Sequence, residues 1–183
     1  MDKSPFLELV NKRSSVRKYI GREIKKEDVE RCIEAARLAP SACNSQPWKF
    51  IIVDDKDLKD RLCEGAFSGI YKMNSFAKGA PVIIAVVSEK SSFFARIGGQ
   101  FRGTHYYLID VGIACEHLAL AAAESRIGSC MIGWFNERAV KKILNIPWRK
   151  KVDLLISLGY PDGEPREKNR KSIGEIRSYN AYV

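Results

Sequence analysis

The chain has 183 residues, enough for one substantial core and short for two. Hydrophobic residues make up 45% and charged residues 29%, a globular balance that excludes a disordered chain. Lys and Arg exceed Asp and Glu by 31 to 22, so the net charge of +9 suits a small anionic ligand.

The cations lie in short separate clusters, NKRSSVRK, WRKK and REKNRK, with no nucleic-acid motif beside them, and nucleic acid is set aside as a partner. Five scattered cysteines without a CxxC pair, and only two histidines, argue against a zinc or iron–sulfur site. The longest apolar run, APVIIAVV, is too short to cross a bilayer as a helix, and no signal-peptide pattern opens the sequence. A soluble, cytoplasmic protein with free thiols is expected, with no membrane partner.

In chain order, Ser4-Pro5 predicts an N-cap and first turn for a short helix FLELVNK. A second helix is expected near residues 25–38, with Val29, Cys32, Ile33 and Ala36 on one stripe, and Pro40 ends it. WKFIIVD reads as a strand, DKDLKDRLCEGA as an amphipathic helix, and residues 68–79 as irregular chain. APVIIAVVS is apolar throughout and predicts a strand buried on both faces. Residues 104–126 form the longest helix candidate, with so little polar surface that it belongs to a core or to a subunit interface. GSCMIGWF reads as a strand, Asn136 as the cap of helix ERAVKKIL, and VDLLISLGYP as the last strand before a polar, basic tail from Asp162. No repeat or linker interrupts the chain, so residues 1–183 are taken as one domain.

Three stretches offer chemistry. In RSSVRKY, Arg13 and Arg17 flank Ser14 and Ser15; planar guanidinium forks and hydroxyls suit a phosphate, and a solvated helix end is the plain alternative. Lys168, Arg170 and Lys171 in REKNRK form a second phosphate candidate or a basic tail. PSACNSQPW sets the amides of Asn44 and Gln46 on a loop stiffened by Pro40 and Pro47, with small Ser41 and Ala42 permitting close approach. Such amides can read the alternating acceptor–donor–acceptor edge of a flavin pyrimidine ring, or bond only the local backbone. The glycines of GSCMIGWF let backbone approach a flat ring, or mark a buried strand. Cys43 and Cys130 lack the partners of a nucleophile, and His105 and His117 are too far apart for one metal.

Taken together and in this order, RSSVRKY, PSACNSQPW, the apolar central helix, GSCMIGWF and LGYPDGEPREKNRK resemble the short, single-domain branch of the nitroreductase family, from about Val10 onward. The resemblance implies an α+β fold, a central, mostly antiparallel sheet flanked by helices, in an intertwined homodimer with FMN at the interface and residues 162–183 wrapping the partner. It implies FMN binding by Arg13, Ser14, Ser15, Arg17, Met131, Ile132, Gly133, Lys168 and Arg170, with Pro40, Ser41, Ala42, Asn44 and Gln46 coming from the other subunit. Further mid-chain contacts are expected around residues 72–75. Hydride from NAD(P)H would pass through flavin N5 to a small acceptor, a nitroaromatic or quinone, in ping-pong turnover, with no protein side chain required as acid or base. A flavin-binding protein without turnover, for storage or redox sensing, is the alternative. The stretch FFARIGGQFRG, residues 93–103, is read as either a cover over the ring or a surface loop.

Overall fold

The strongest apolar runs become four strands of one sheet, β1 (Trp48–Val53), β2 (Val82–Ser88), β3 (Gly128–Ile132) and β4 (Lys151–Gly159). Their spatial order is β1-β2-β4-β3, and every pairing is antiparallel. The computed structural model describes residues 4–89, 103–164 and 167–182, so the FFARIGGQFRG stretch lies outside the described residues except for Gly103. Among the described residues six α-helices accompany the sheet: α1 (Pro5–Lys12), α2 (Lys26–Arg37), α3 (Lys56–Ala66), α4 (Tyr106–Glu124), α5 (Glu137–Ile143) and α6 (Ile173–Ile176).

Strand side chains alternate between faces, and β2 is apolar on both because both are covered. Val82, Ile84 and Val86 join a core with Val29, Cys32 and Ala36 of α2 and Val111, Cys115 and Leu118 of α4. Ile83, Ala85 and Val87 join the opposite core with Leu62, Cys63 and Ala66 of α3 and Val140 of α5. Each fully buried aliphatic side chain contributes about 1.5–3 kcal/mol, so this central strand anchors both layers. By length and composition α4 could cross a membrane, but here its buried residues close the core over the sheet.

The expected α+β architecture with a mostly antiparallel sheet is thus present. Local details differ. Ser4 stands at the N-cap of α1 without a side-chain bond, so Pro5, pre-set to helical φ, starts that helix. Residues expected to be irregular form a 3-10 helix, Gly69–Gly79. The tail contains α6, started by a capping box in which Ser172 and Glu175 bond each other's backbone N–H groups. Residues 13–20 are an extended strip rather than a helix end. Val16 N–H donates to the Ser129 carbonyl at 2.9 Å beside a parallel bridge between Ser15 and Ser129. Farther on, Ile20 N–H donates to the Tyr160 carbonyl at 3.1 Å. The strip therefore covers the β3 edge of the sheet, where unpaired backbone would otherwise face water.

Candidate functional site

The arginine strip is held by side chains as well as backbone. Gly128 and Gly159 are register partners on β3 and β4. A Cβ on Gly128 would lie 2.5 Å from Val16 Cγ2, and one on Gly159 would lie 2.6 Å from Tyr19 Cδ1. The paired glycines form a slot for Val16 and Tyr19. The Tyr19 hydroxyl donates to the Val16 carbonyl at 2.8 Å and meets Ser157 Oγ at 2.8 Å; burial pushes its pKa upward. Gly128 lies in a buried strand, the plainer of the two readings of GSCMIGWF, and there it makes room for the chain that carries Arg13 and Arg17.

With the strip seated, distant cations meet. Arg13 follows the last turn of α1, and Lys168 Nζ donates to the Val10 carbonyl in that helix at 2.7 Å. Burial first, then the charges of Arg13 and Arg170, hold the Lys168 ammonium below its ordinary range. Glu116 of α4, 3.6 Å from Arg13 Nε, is the acid that opposes them. Three cations with one partly exposed carboxylate form a basin that an anion would relieve of repulsion. A cleft of about 570 Å³ opens beside the strip, walled by residues 12–18, Arg126 and residues 161–164.

Arg17 continues the positive charge toward the far end of β3, where its guanidinium lies 5.9 Å from the Phe76 ring centroid. Both Arg13 and Arg17 act electrostatically on Cys130. Beyond Cys130, Met131 is 36% exposed, Ile132 is buried and Gly133 is open, so Ile132 can offer a ligand backbone but not side chain. The 3-10 helix is fastened to this bend: Trp134 Nε1 donates to the Ile70 carbonyl at 3.2 Å, and Asn74 Nδ2 donates to the Trp134 carbonyl at 2.8 Å. Gly133 lines a separate hollow of about 430 Å³ with Leu108, Gly112 and Leu154.

The amide loop is built differently. Cys43, Asn44 and Gln46 all have left-handed φ, 52°, 51° and 44°, costing about 1 kcal/mol or more each, least for asparagine. Local bonds hold this shape. Asn44 N–H donates to the Ser41 carbonyl at 3.0 Å, and Gln46 N–H donates to Ser41 Oγ at 2.9 Å. Gln46 Nε2 donates to Asn44 Oδ1 at 3.0 Å, which leaves the Asn44 amino group and the Gln46 carbonyl oxygen as donor and acceptor for a ligand. Ala42 N–H donates at 3.0 Å to Oδ1 of Asp110 in α4.

The structure therefore brings Arg13, Ser14, Ser15 and Arg17 together along the cleft at the sheet edge, and sets Lys168, with Arg170 acting on it, against the helix that ends at Arg13. Within one chain it does not bring Pro40, Ser41, Ala42, Asn44 or Gln46 to them. Asp110, which fixes the loop, and Glu116, which meets Arg13, are six residues apart on α4, about 9 Å of rise and on different sides of the helix. No residue of the loop lines either cleft described above. Sequence reasoning missed Phe76, Trp134 and Asp110, whereas Asn74 falls within the expected stretch 72–75; Asp110 is one of two acids, with Glu116, in the apolar-rich stretch THYYLIDVGIACEHLAL. The buried thiols are poor nucleophiles: burial raises Cys32 and Cys63 to about 11 and Cys115 to about 12, and pushes Cys130 up as well. Among the described residues no group of His, Cys, Asp and Glu could hold a metal ion.

Comparison with known proteins bears on the lineage of this fold. A family model described as the nitroreductase family matches residues 10–72 and 70–160. A candidate NADH dehydrogenase/NAD(P)H nitroreductase of Archaeoglobus fulgidus is 33% identical over 162 residues, 86% of each chain. An iodotyrosine deiodinase of Thermotoga neapolitana is 29% identical, covering 96% of this chain and 97% of its own. The solved structure of an FMN-dependent nitroreductase from Clostridium difficile is 27% identical and superposes with a TM-score of 0.76 over 96% of this chain and 99% of that one. The match of fold, motif order and sequence over nearly the whole length settles the lineage: this chain belongs to the nitroreductase family.

Proposed function

We propose that the protein is an FMN-dependent NAD(P)H oxidoreductase that reduces small nitroaromatic or quinone acceptors. The basin made by Arg13, Lys168 and Arg170 supports this reading most directly. Residues from both ends of the chain converge there, where burial first and then the charges of Arg13 and Arg170 disfavour the Lys168 ammonium, a cost that a bound anion would offset. These residues fit the phosphate of FMN, while Arg17, farther along the same strip, supplies fixed positive charge for the ring.

When bound, FMN supplies the acceptance and donation of hydride. The chain's own residues bind and tune. Arg13, Lys168 and Arg170, with Ser14 and Ser15, would hold the phosphate; the backbone of 131–133 would lie along the ring; Arg17 would stabilise the negative charge the ring gains on reduction. Asn44 and Gln46 would read the pyrimidine edge from a second copy of the chain, because within one copy they sit on the other side of α4. Donor and acceptor would then use one open face in turn. Neither step asks for a proton from a protein side chain.

Purified protein should be yellow, and NADH or NADPH should bleach it. Steady oxidation of the nicotinamide with menadione or nitrofurazone as acceptor is the expected outcome. A bound flavin that neither nicotinamide can bleach would favour a storage or sensing role instead. The same assay should include 3-iodotyrosine, since a relative of equal span carries a deiodinase name; turnover with iodotyrosine alone would replace the acceptor class proposed here.

A further inference from the structure

We propose that Asp110 is the positioning residue of the carboxamide loop, and that it sets FMN affinity through Asn44 and Gln46 without touching the cofactor. The proposal rests on the flavin reading above. Asp110 is only 4% exposed, within a helix whose other buried residues are Val111, Ala114, Cys115, Leu118, Ala119 and Ala122. Oδ1 accepts the Ala42 N–H, while Oδ2 has no hydrogen-bond partner. Burying a carboxylate with an unsatisfied oxygen is unfavourable, and a small apolar residue would suit the core better.

What Asp110 holds explains why it stands there. Ala42 is the residue just before Cys43 and Asn44, both left-handed, and Gln46 follows two positions later in the same conformation. The bonds among Ser41, Asn44 and Gln46 shape the turn but are internal to it. The Ala42–Asp110 bond ties that turn to α4, the rigid helix that also meets Arg13 through Glu116. One helix thereby indexes both ligand-reading segments. Without Asp110 the strained turn has nothing from α4 on its leading N–H, and its amides lose their fixed height along the helix.

The test is FMN titration of apoprotein by fluorescence quenching, with no turnover involved. Asp110→Ala should raise the Kd for FMN at least tenfold. Asp110→Asn keeps one oxygen for the Ala42 N–H and should stay within threefold of wild type. Asn44→Gly removes the amide while tolerating the left-handed φ, and it should also weaken binding. Added to Asp110→Ala it should cost less than a further threefold, because the amide is already displaced. Wild-type affinity in Asp110→Ala, or full multiplication of the two single effects, would overturn the positioning role. If Asp110→Ala does not fold, as judged by its thermal transition, Asp110→Ser carries the same comparison with a side chain too short to hold the bond. Failure of wild type to bind FMN would instead overturn the flavin reading and this inference together.

Discussion

At Arg17 the charge is held beside Phe76 and the end of β3, where it can act on a bound ring. Arg17→Ala should make the flavin midpoint potential more negative by about 30 mV or more, which for a two-electron couple is about 1.4 kcal/mol. Spectroelectrochemical titration of the two proteins measures it, and an unchanged potential would remove Arg17 from the redox role. Glu137 is a different kind of residue, a structural clamp at the start of α5. Burial alone would raise its pKa, but bonds from Lys141 at 2.8 Å, Lys151 at 2.5 Å and Val152 N–H at 3.0 Å bring it down to about 2. A folded-state pKa below the unfolded one stabilises the fold above about pH 4.5, and that stability fades as pH falls from about 4.5 through 2. Glu137→Gln should therefore cost about 1–2 kcal/mol at pH 7 by urea denaturation, the difference shrinking below pH 4.

Elements with strong apolar patterning were legible in the sequence: all four strands, α2, α3, α4 and α5 lie where periodicity and caps put them. Segments governed by contacts far along the chain were not. RSSVRKY has no alternating pattern, because its strand-like pairing comes from the exposed edge of β3 and from a glycine slot 112 residues downstream of Val16. The 3-10 helix at Gly69–Gly79 is held by Trp134, which no local signal announces. In the same way the sequence showed which residues carry arginines and amides but not Asp110, whose meaning depends on where Ala42 folds. The slot gives a test at this scale. Gly128→Ala places a methyl against the stem of Val16, which cannot swing away, and should cost about 1–3 kcal/mol. It should also weaken FMN binding by shifting Arg13 and Arg17, and adding Val16→Ala should restore part of both losses in denaturation and titration experiments.

Across the whole molecule, one chain leaves apolar surface uncovered in several places. Phe6 and Leu7 on α1, Leu108 and Ile109 on α4, and Ile173 and Ile176 on α6 are all exposed. Apolar side chains exposed in this way are what a subunit interface would cover. The homodimer proposed above would cover these faces and bring one copy's amide loop to the other's arginine strip. Sedimentation should then give about 41 kDa, twice the 20.7 kDa chain. Ile109→Asp should produce a monomer with FMN affinity reduced at least tenfold; a monomer that kept full affinity would mean that one chain suffices.

The bond from Lys168 to Val10 has a bearing on biosynthesis. A nascent polypeptide released from the ribosomal tunnel only as far as Gly159 already contains the four described strands, the residues of both hydrophobic layers and the glycine slot. It still lacks the cations that complete the anion basin. If Lys168 and Arg170 hold the phosphate as proposed, translation must run past Arg170 before the prosthetic group can be fully gripped, and its acquisition would follow synthesis of the sheet.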